Sequence, residues 1–370
     1  MDDRYRTLSF AERRDWLRLF RSENVGPITF FRLLERFGTA TKALELLPSM
    51  ARQGGGRRPI GIFPAAAAER ELEALDRMGA RLITSIEKGF PKSLRTLEAT
   101  PLLTVRGNAA LLNSDAVAIV GARNASALGR RMAKTLAIDL GENGFVVVSG
   151  MARGIDTAAH DGAMATGTVA VLAGGVDVVY PQENRGLYER LCAEGCVISE
   201  MAAGREPQAA HFPRRNRLIS GLSRGVVVVE AAPKSGSLIT ARMALDQGRE
   251  IFAVPGSPFD PRCQGTNGLI KQGATLIESA VDVLDVLAPM KKINALPARP
   301  ASLEMAQPAD DELTEARKII VPALTPAPVM VDEIIRQCQL SPAVVSMVLI
   351  ELELAGRLER HADNQVSLLP

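Results

Sequence analysis

Along the middle of the chain, apolar residues gather in short β-branched runs separated by stretches of helical periodicity. The runs are Ala116–Val120, Phe145–Ser149, Val169–Leu172, Cys196–Ser199, Val226–Glu230, Ile251–Val254 and Thr275–Ile277. Amphipathic stretches such as Gly129–Leu140, Ala158–Thr166 and Leu238–Gln247 lie between them. A strand that is apolar at successive positions, not at alternate ones, is covered on both faces, the condition of a parallel sheet flanked by helices. The alternation therefore predicts an α/β fold: an extended Rossmann-like, doubly wound, mostly parallel sheet over residues 80–288.

The flanks read differently. Residues 1–79 form a small helical domain of SAM or helix-hairpin-helix type, in which Asn24-Val25-Gly26-Pro27 leads into a helix over Ile28–Phe37 and a second over Ala40–Leu47. Simple packing explains this Gly-Pro turn better than a phosphate contact, since no lysine adjoins it. Gly54-Gly55-Gly56-Arg57-Arg58-Pro59 reads as a flexible loop. A linker is expected over 289–308, and a winged-helix domain over 309–370. The winged helix needs helices over Asp311–Val321 and Val331–Cys338 and a third capped by Ser341 with Pro342 at its first position. Gly356 stops that third helix, and Arg357–His361 with Gln365–Leu369 make the wing. Third helices of this kind usually enter a DNA groove. Here Ser341–Ala355 lacks Lys and Arg but carries Glu351 and Glu353, which phosphates would repel. A protein-contact or regulatory role is expected.

Composition narrows the classes further. Hydrophobic residues make up 46% and charged residues 23%, ordinary for a globular chain. No apolar stretch is long enough to span a bilayer, and the first residues lack a signal-peptide core, so a cytoplasmic location without membrane contact is expected. Cys192, Cys196, Cys263 and Cys338 form no CxxC and have only three histidines to help them, so no metal site is expected. A net charge of +2 announces no polyanionic partner by itself. Locally, however, Arg205, Arg214, Arg215, Arg217 and Arg224 face one acid, Glu206.

Ligands of doubly wound sheets bind outside the carboxyl ends of the strands. After the first run comes Gly121-Ala122-Arg123-Asn124-Ala125-Ser126 and then Gly129. This is not the dinucleotide fingerprint, so no NAD or FAD cofactor is expected. Backbone N–H groups, a helix dipole and the Arg123 guanidinium still suit an anion. Ser149-Gly150-Met151-Ala152-Arg153-Gly154-Ile155-Asp156 repeats the theme after the second run, with His160 one turn on. Ser149, Asp156 and His160 invite comparison with a catalytic triad. The i,i+4 spacing of Asp156 and His160 fits a local structural pair better. No G-x-S-x-G elbow surrounds the serine. Lys234-Ser235-Gly236-Ser237 before a helix makes a third anion cradle, loosely like the phosphate loop of Rossmann-type hydrolases but without their following acid. Gly174–Asp177, Tyr180-Pro181 and Ser199-Glu200 shape the crevice. Phe212 beside Arg214, Arg215, Asn216 and Arg217 offers a ring for a base and cations for phosphates. Three cradles and an aromatic-basic segment exceed the needs of one nucleotide and match a strand of successive phosphates.

These motifs, in this order and spacing, closely resemble the DNA-processing protein A family (DprA, also called Smf). The resemblance runs through Val120–Gly129, Ser149–His160, Tyr180-Pro181, Ile198–Glu200, Phe212–Ser223 and Ser235–Ala241. Val254-Pro255-Gly256 and Gly265-Thr266-Asn267-Gly268-Leu269-Ile270, with Gly273-Ala274, complete it. One departure is Leu128, where the family often has tyrosine. The resemblance implies a non-enzymatic mediator that binds single-stranded DNA, dimerises through the Rossmann-like domain, and helps load the RecA recombinase during natural transformation. It implies DNA contacts at Arg123, Arg153, Phe212, Arg214, Arg215, Arg217, Ser235, Gly236 and Ser237, to which the loop reading adds Gly121, Ser126, Ser149, Gly150, Asn216 and Lys234. Two other readings stand beside it. One is a Rossmann-type nucleotide or phosphoribosyl hydrolase using Glu230 or Asp156 as acid and base. The other is a scaffold whose loops only pack.

Overall fold

The structure is a computed structural model that describes residues 5–97, 100–293, 310–361 and 364–369. It divides into two units. One comprises Arg70–Leu296 with the first seven residues, and the other joins Leu8–Glu69 to Pro297–Pro370.

The chain opens with α1 (Phe10–Arg21), α2 (Pro27–Phe37), α3 (Ala40–Gln53) and α4 (Ala65–Arg77). Ser9 starts α1 through a capping box with Glu12, and Gly26 with Pro27 starts α2. The sequence reading named α2 and part of α3 only. Helix α1 supplies Trp16 and Phe20, both edge-on to Phe30 of α2 with ring centroids 5.1 and 6.0 Å away.

The larger unit begins with two strands that the sequence reading did not name, β1 (Ala80–Thr84) and β2 (Leu102–Gly107), with α5 (Lys92–Thr96) between them. The expected alternation follows: β3 (Ala116–Val120), α6 (Ala127–Glu142), β4 (Val146–Ser149), α7 (Ile155–Ala163), β5 (Thr168–Val171), α8 (Arg185–Ala193) and β6 (Cys196–Ser199). Then come α9 (His211–Leu222), β7 (Gly225–Val228), α10 (Gly236–Asp246), β8 (Glu250–Ala253), α11 (Gln264–Lys271), β9 (Thr275–Leu276) and α12 (Ala280–Ile293). The strand order is β1-β2-β6-β5-β4-β3-β7-β8-β9. Pairing is parallel from β6 to β9, while β1 and β2 add an antiparallel edge.

Both faces of this sheet are covered, as the unbroken apolar runs predict. In β3, Ala116, Ala118 and Val120 pack with Leu218 and Ile219 of α9 and Ala241 of α10. The alternate residues Val117 and Ile119 pack with Leu136 of α6, Ala159 of α7 and Val283 of α12 on the other face. The chain runs from β3 outward through β4, β5 and β6, then returns to lay β7 against β3 on its other side. That reversal makes the carboxyl ends of β3, β4 and β7 a topological switch point, where a crevice opens. Of the cysteines, Cys196 is buried in this core, where burial pushes its thiol up to about 12. Cys192, Cys263 and Cys338 are half-buried, and all four are free.

Of the linker read at 289–308, residues 289–293 continue α12 and the remainder lies outside the described residues. The C-terminal segment contains α13 (Asp310–Ala323), β10 (Val329–Met330), α14 (Val331–Cys338), α15 (Pro342–Leu354), β11 (Leu358–Arg360) and β12 (Gln365–Leu368). The last two strands and β10 form the wing sheet in the order β10-β12-β11. Ser341 caps α15 and Gly356 ends it at φ +69°.

Helix α15 is not a surface helix. Val344, Val345, Val348, Leu349, Ile350, Leu352 and Leu354 are all buried. Glu351 is buried too, held by two bonds from Arg317 at 2.6 and 3.1 Å. Glu353 accepts a bond from Arg360 at 2.9 Å. The expectation that its carboxylates repel phosphates gives way to a stronger reason against duplex binding: the helix is consumed by packing. Part of that packing is with the N-terminal helices of the same unit. A Cβ on Gly54 would lie 2.0 Å from the Glu351 carbonyl oxygen, and Arg357 donates to the Gly54 carbonyl at 3.2 Å. Asn24 donates to the Leu354 carbonyl at 3.2 Å. The glycine run read as a flexible loop is thus a close-approach seat for α15. Among the described residues no single helix is long and apolar enough to cross a membrane.

Candidate nucleic-acid interface

At the switch point lies a cleft of about 790 Å³, walled by the loops after β3 and β7, the first two turns of α9, and Arg262 from the loop after β8. A small extension of about 40 Å³ is lined by Gly150, Arg153, Tyr180 and Pro181, with Arg123, Phe212 and Arg215 shared between the two.

The segment around Phe212 is helical, which the sequence reading did not anticipate. A helix repeats its faces at i, i+3, i+4 and i+7. Phe212, Arg215, Asn216 and Ile219 accordingly face the cleft together. Arg214 is exposed and outside the lining. Arg217 points elsewhere: its guanidinium donates two bonds, at 2.5 and 2.6 Å, to the buried Glu200 carboxylate. Its expected phosphate contact is replaced by an internal ion pair.

Phe212 and Tyr180 form a tilted ring pair with centroids 5.8 Å apart, and the Arg123 guanidinium lies 5.2 Å from the Phe212 centroid. Tyr180 is 48% exposed. Below them Arg215 is buried, one N–H donating to the Val171 carbonyl at 3.3 Å while its Nε has no hydrogen-bond partner among the described residues. Burial lowers the Arg215 guanidinium to about 10, so it keeps its charge at neutral pH. Gly150 makes room for it, since a Cβ there would lie 1.5 Å from the guanidinium. Burial raises the Asp156 carboxyl, and the charge of Arg215 pulls the other way.

The three cradles are not equivalent. In the first, Ser126 caps α6, accepting from Gly129 N–H at 2.9 Å. Its own N–H and hydroxyl donate to the Glu230 carboxylate at 2.9 and 2.6 Å. A Cβ on Gly129 would lie 2.5 Å from that carboxyl carbon. Glu230 therefore occupies the anion position at this helix start, and Ser126 is a scaffold residue. In the second, the Asp156 carboxylate accepts from the N–H groups of Gly150 and Ala152 at 3.1 and 3.2 Å. Ser149 is fully buried and donates to the Ile119 carbonyl at 2.6 Å. Neither serine reaches the cleft. In the third, Lys234 at φ +67° turns the chain into α10. Ser235 and Ser237 share one hydroxyl–hydroxyl bond at 2.8 Å. Lys234, Ser235, Gly236 and Ser237 all line the cleft, and no carboxylate is bonded to them among the described residues.

No triad forms. His160 bonds the Thr168 hydroxyl at 2.7 Å, and burial drops its imidazole to about 3. It does not make the local pair with Asp156 that their spacing invites. Among the cleft residues absent from the expected site, two carry an aromatic ring or a charge suited to DNA, Tyr180 and Arg262. Tyr180 stood in the sequence reading as a shaping residue, though an aromatic one strand-end away from Phe212 was a usable signal. Arg262 carried no local signal, and reaches the cleft because β8 neighbours β7.

Comparison with known proteins agrees for all three segments of the chain. The sequence profile described as DNA recombination-mediator protein A matches residues 81–288, the DprA-like N-terminal HHH domain matches 10–74, and the DprA winged helix domain matches 304–364. The DNA processing protein DprA of Bacillus subtilis is 43% identical over 222 residues, covering 59% of this chain and 75% of that protein. The solved DNA processing protein A of Streptococcus pneumoniae superposes with a TM-score of 0.65 at 34% identity, covering 76% of this chain and 98% of that one. Its counterpart from Helicobacter pylori, described through its single-stranded DNA binding mode, gives a TM-score of 0.52 at 30% identity over 57% of this chain and 96% of that one. Sheet, strand-end loops and both flanking modules lead to one conclusion: the chain belongs to the DNA processing protein A (DprA/Smf) family.

Proposed function

We propose that this chain binds single-stranded DNA in the switch-point cleft, without covalent chemistry. The observation that carries the reading is the partly exposed Tyr180–Phe212 pair with Arg123 against it, at the mouth of a cleft lined by Arg215 and Lys234, with Arg262 there already paired to Asp260 at 2.8 Å. Such rings stack on a base whatever its identity, and the cations and the open Lys234–Ser237 loop meet phosphates. Gly121, Arg123, Phe212, Arg215, Asn216, Lys234, Ser235, Gly236 and Ser237 line the path, and Gly150 and Arg153 extend it. The hydrolase reading asks for a free carboxylate. Both oxygens of Glu230 are engaged by Ser126, and one oxygen of Asp156 by two backbone N–H groups, which favours binding over catalysis.

The family's profile description and the DNA-binding relative support a wider role. In that role the chain is a cytosolic recombination mediator that protects incoming single strands, helps load the RecA recombinase during natural transformation, and acts as a homodimer through the Rossmann-like unit. Titration with single- and double-stranded oligonucleotides at two salt concentrations tests the core claim. Tighter, salt-sensitive binding of the single strand is expected. Equal affinity for both forms, or release of base from a nucleoside monophosphate, would overturn it.

A further inference from the structure

A second basic recess lies behind the cleft, between α6 and α7, and nothing in the binding reading uses it. Its volume is about 330 Å³. Arg130, Arg131 and Lys134 of α6 line one side, and Gly154, Thr157 and Asp161 of α7 belong to the other. All three cations are exposed. Asp161, the acid of this groove, is already bonded to Arg190 at 2.9 Å. Arg130 spends one N–H on the Ala125 carbonyl at 2.7 Å. Arg131 and Lys134 have no ion-pair partner among the described residues.

The groove adjoins the cleft through a wall one backbone thick. Gly154 forms its near end, at φ +82°, and a Cβ there would lie 2.3 Å from the Ala122 carbonyl oxygen and 2.6 Å from that of Arg123. Arg153, 62% exposed and paired with Glu183 at 3.7 Å, stands on this wall and lines the cleft's extension. Exposed cations thus lie on both sides of this wall, Lys234 and Arg123 in the cleft and Arg130, Arg131 and Lys134 in the groove. Arg130 and Lys134 are one helical turn apart, about 6 Å along the axis, comparable to the step between phosphates of an extended strand. The lining offers no aromatic ring, only Thr157 and Ala158 between the charges.

We propose that the α6–α7 groove is a second subsite that takes the sugar-phosphate backbone of single-stranded DNA as it leaves the cleft, through phosphates alone and without regard to base. The inference rests on the cleft reading given above. It predicts that the groove matters only for strands long enough to reach it.

The test uses the full chain carrying Arg131→Ala and Lys134→Ala together, two exposed positions whose truncation spares the fold. Anisotropy titrations would use oligonucleotides of about 6 and about 20 nucleotides. For the longer strand, the log–log salt slope should fall by about 1.4, two phosphates at roughly 0.7 each, and affinity should drop. For the shorter strand both should match the parent. An unchanged slope with the longer strand overturns the subsite. Equal weakening of both lengths also overturns it, because the cations would then act through the general field. Arg123→Ala, run alongside, separates the two ideas. If it weakens both lengths while the groove variant does nothing, only the groove is lost. If it weakens neither, the cleft reading has failed first.

Discussion

Ser126 and Ser235 both cap helices at the carboxyl edge of one sheet, each in the loop after a parallel strand, each with a glycine and a cation within three residues. Their surroundings differ by one carboxylate. Glu230, at the end of β7, reaches across to the Ser126 N–H and hydroxyl and fills that helix start from within. Among the described residues nothing equivalent is bonded to Ser235, whose loop opens into the cleft. The loop after β4 repeats the first case, with Asp156 filling the N–H groups of Gly150 and Ala152. A glycine and a hydroxyl at a helix start are therefore an anion site only when the protein's own acids leave it empty. Along α9 the same distinction separates Arg217, neutralised by Glu200, from Arg215, whose charge faces the cleft wall.

The largest effect should come from breaking an internal partner. Arg217→Ala strands the buried Glu200 carboxylate, and truncating one member of such a pair costs about 3–5 kcal/mol. Urea denaturation should show the loss, while the folded fraction keeps its affinity for single-stranded DNA. Intact stability with weakened binding would put Arg217 back among the DNA contacts. Next in size is Phe212→Ala, which should lower affinity by roughly 1–3 kcal/mol, with Phe212→Tyr close to the parent. A full-strength Phe212→Ala variant would mean the ring anchors its loop and stacks on nothing. Smaller still is a pH effect beneath the second loop. His160 is held near 3 in the fold against 6.5 when exposed. As pH falls below 6.5 the unfolded chain takes up a proton that the folded one refuses, so the stabilisation present above 6.5 drains away towards 3. Relative to its own value at neutral pH, His160→Gln should retain on the order of 1 kcal/mol more than the parent by about pH 5.5. Parallel pH profiles would place the imidazole in contact with water.

Much of the fold was readable because β3 through β7 are buried on both faces and announce themselves as unbroken apolar runs. Strands β1 and β2 form the sheet's edge, and a single exposed Arg81 was enough to blur the first. Helix α9 was hidden for another reason. Its apolar stripe of Leu218, Ile219 and Leu222 follows Pro213 and three arginines, a composition that reads as a basic loop. Without the helix, Arg214, Arg215 and Arg217 look interchangeable; with it, one faces the cleft, one faces solvent and one faces Glu200. The partners that fill two of the cradles were also out of reach. Ser126 and Glu230 lie 104 residues apart and meet only because β7 returns beside β3. In the C-terminal segment the helices and wing were readable from caps and stops. That Gly54 seats α15 was not, since a glycine run carries the same letters in a loose loop and in a tight contact.

The most direct test is the salt dependence of single-stranded DNA binding for the parent and three single variants, Arg123→Ala, Lys234→Ala and Ser126→Ala. Removing Arg123 or Lys234 should each flatten the log–log slope by about 0.7, while Ser126→Ala should keep the parental slope and lose only about 1 kcal/mol of stability with its cap. A flattened slope for Ser126→Ala, or parental slopes for both cation variants, would contradict the division between filled and open loops.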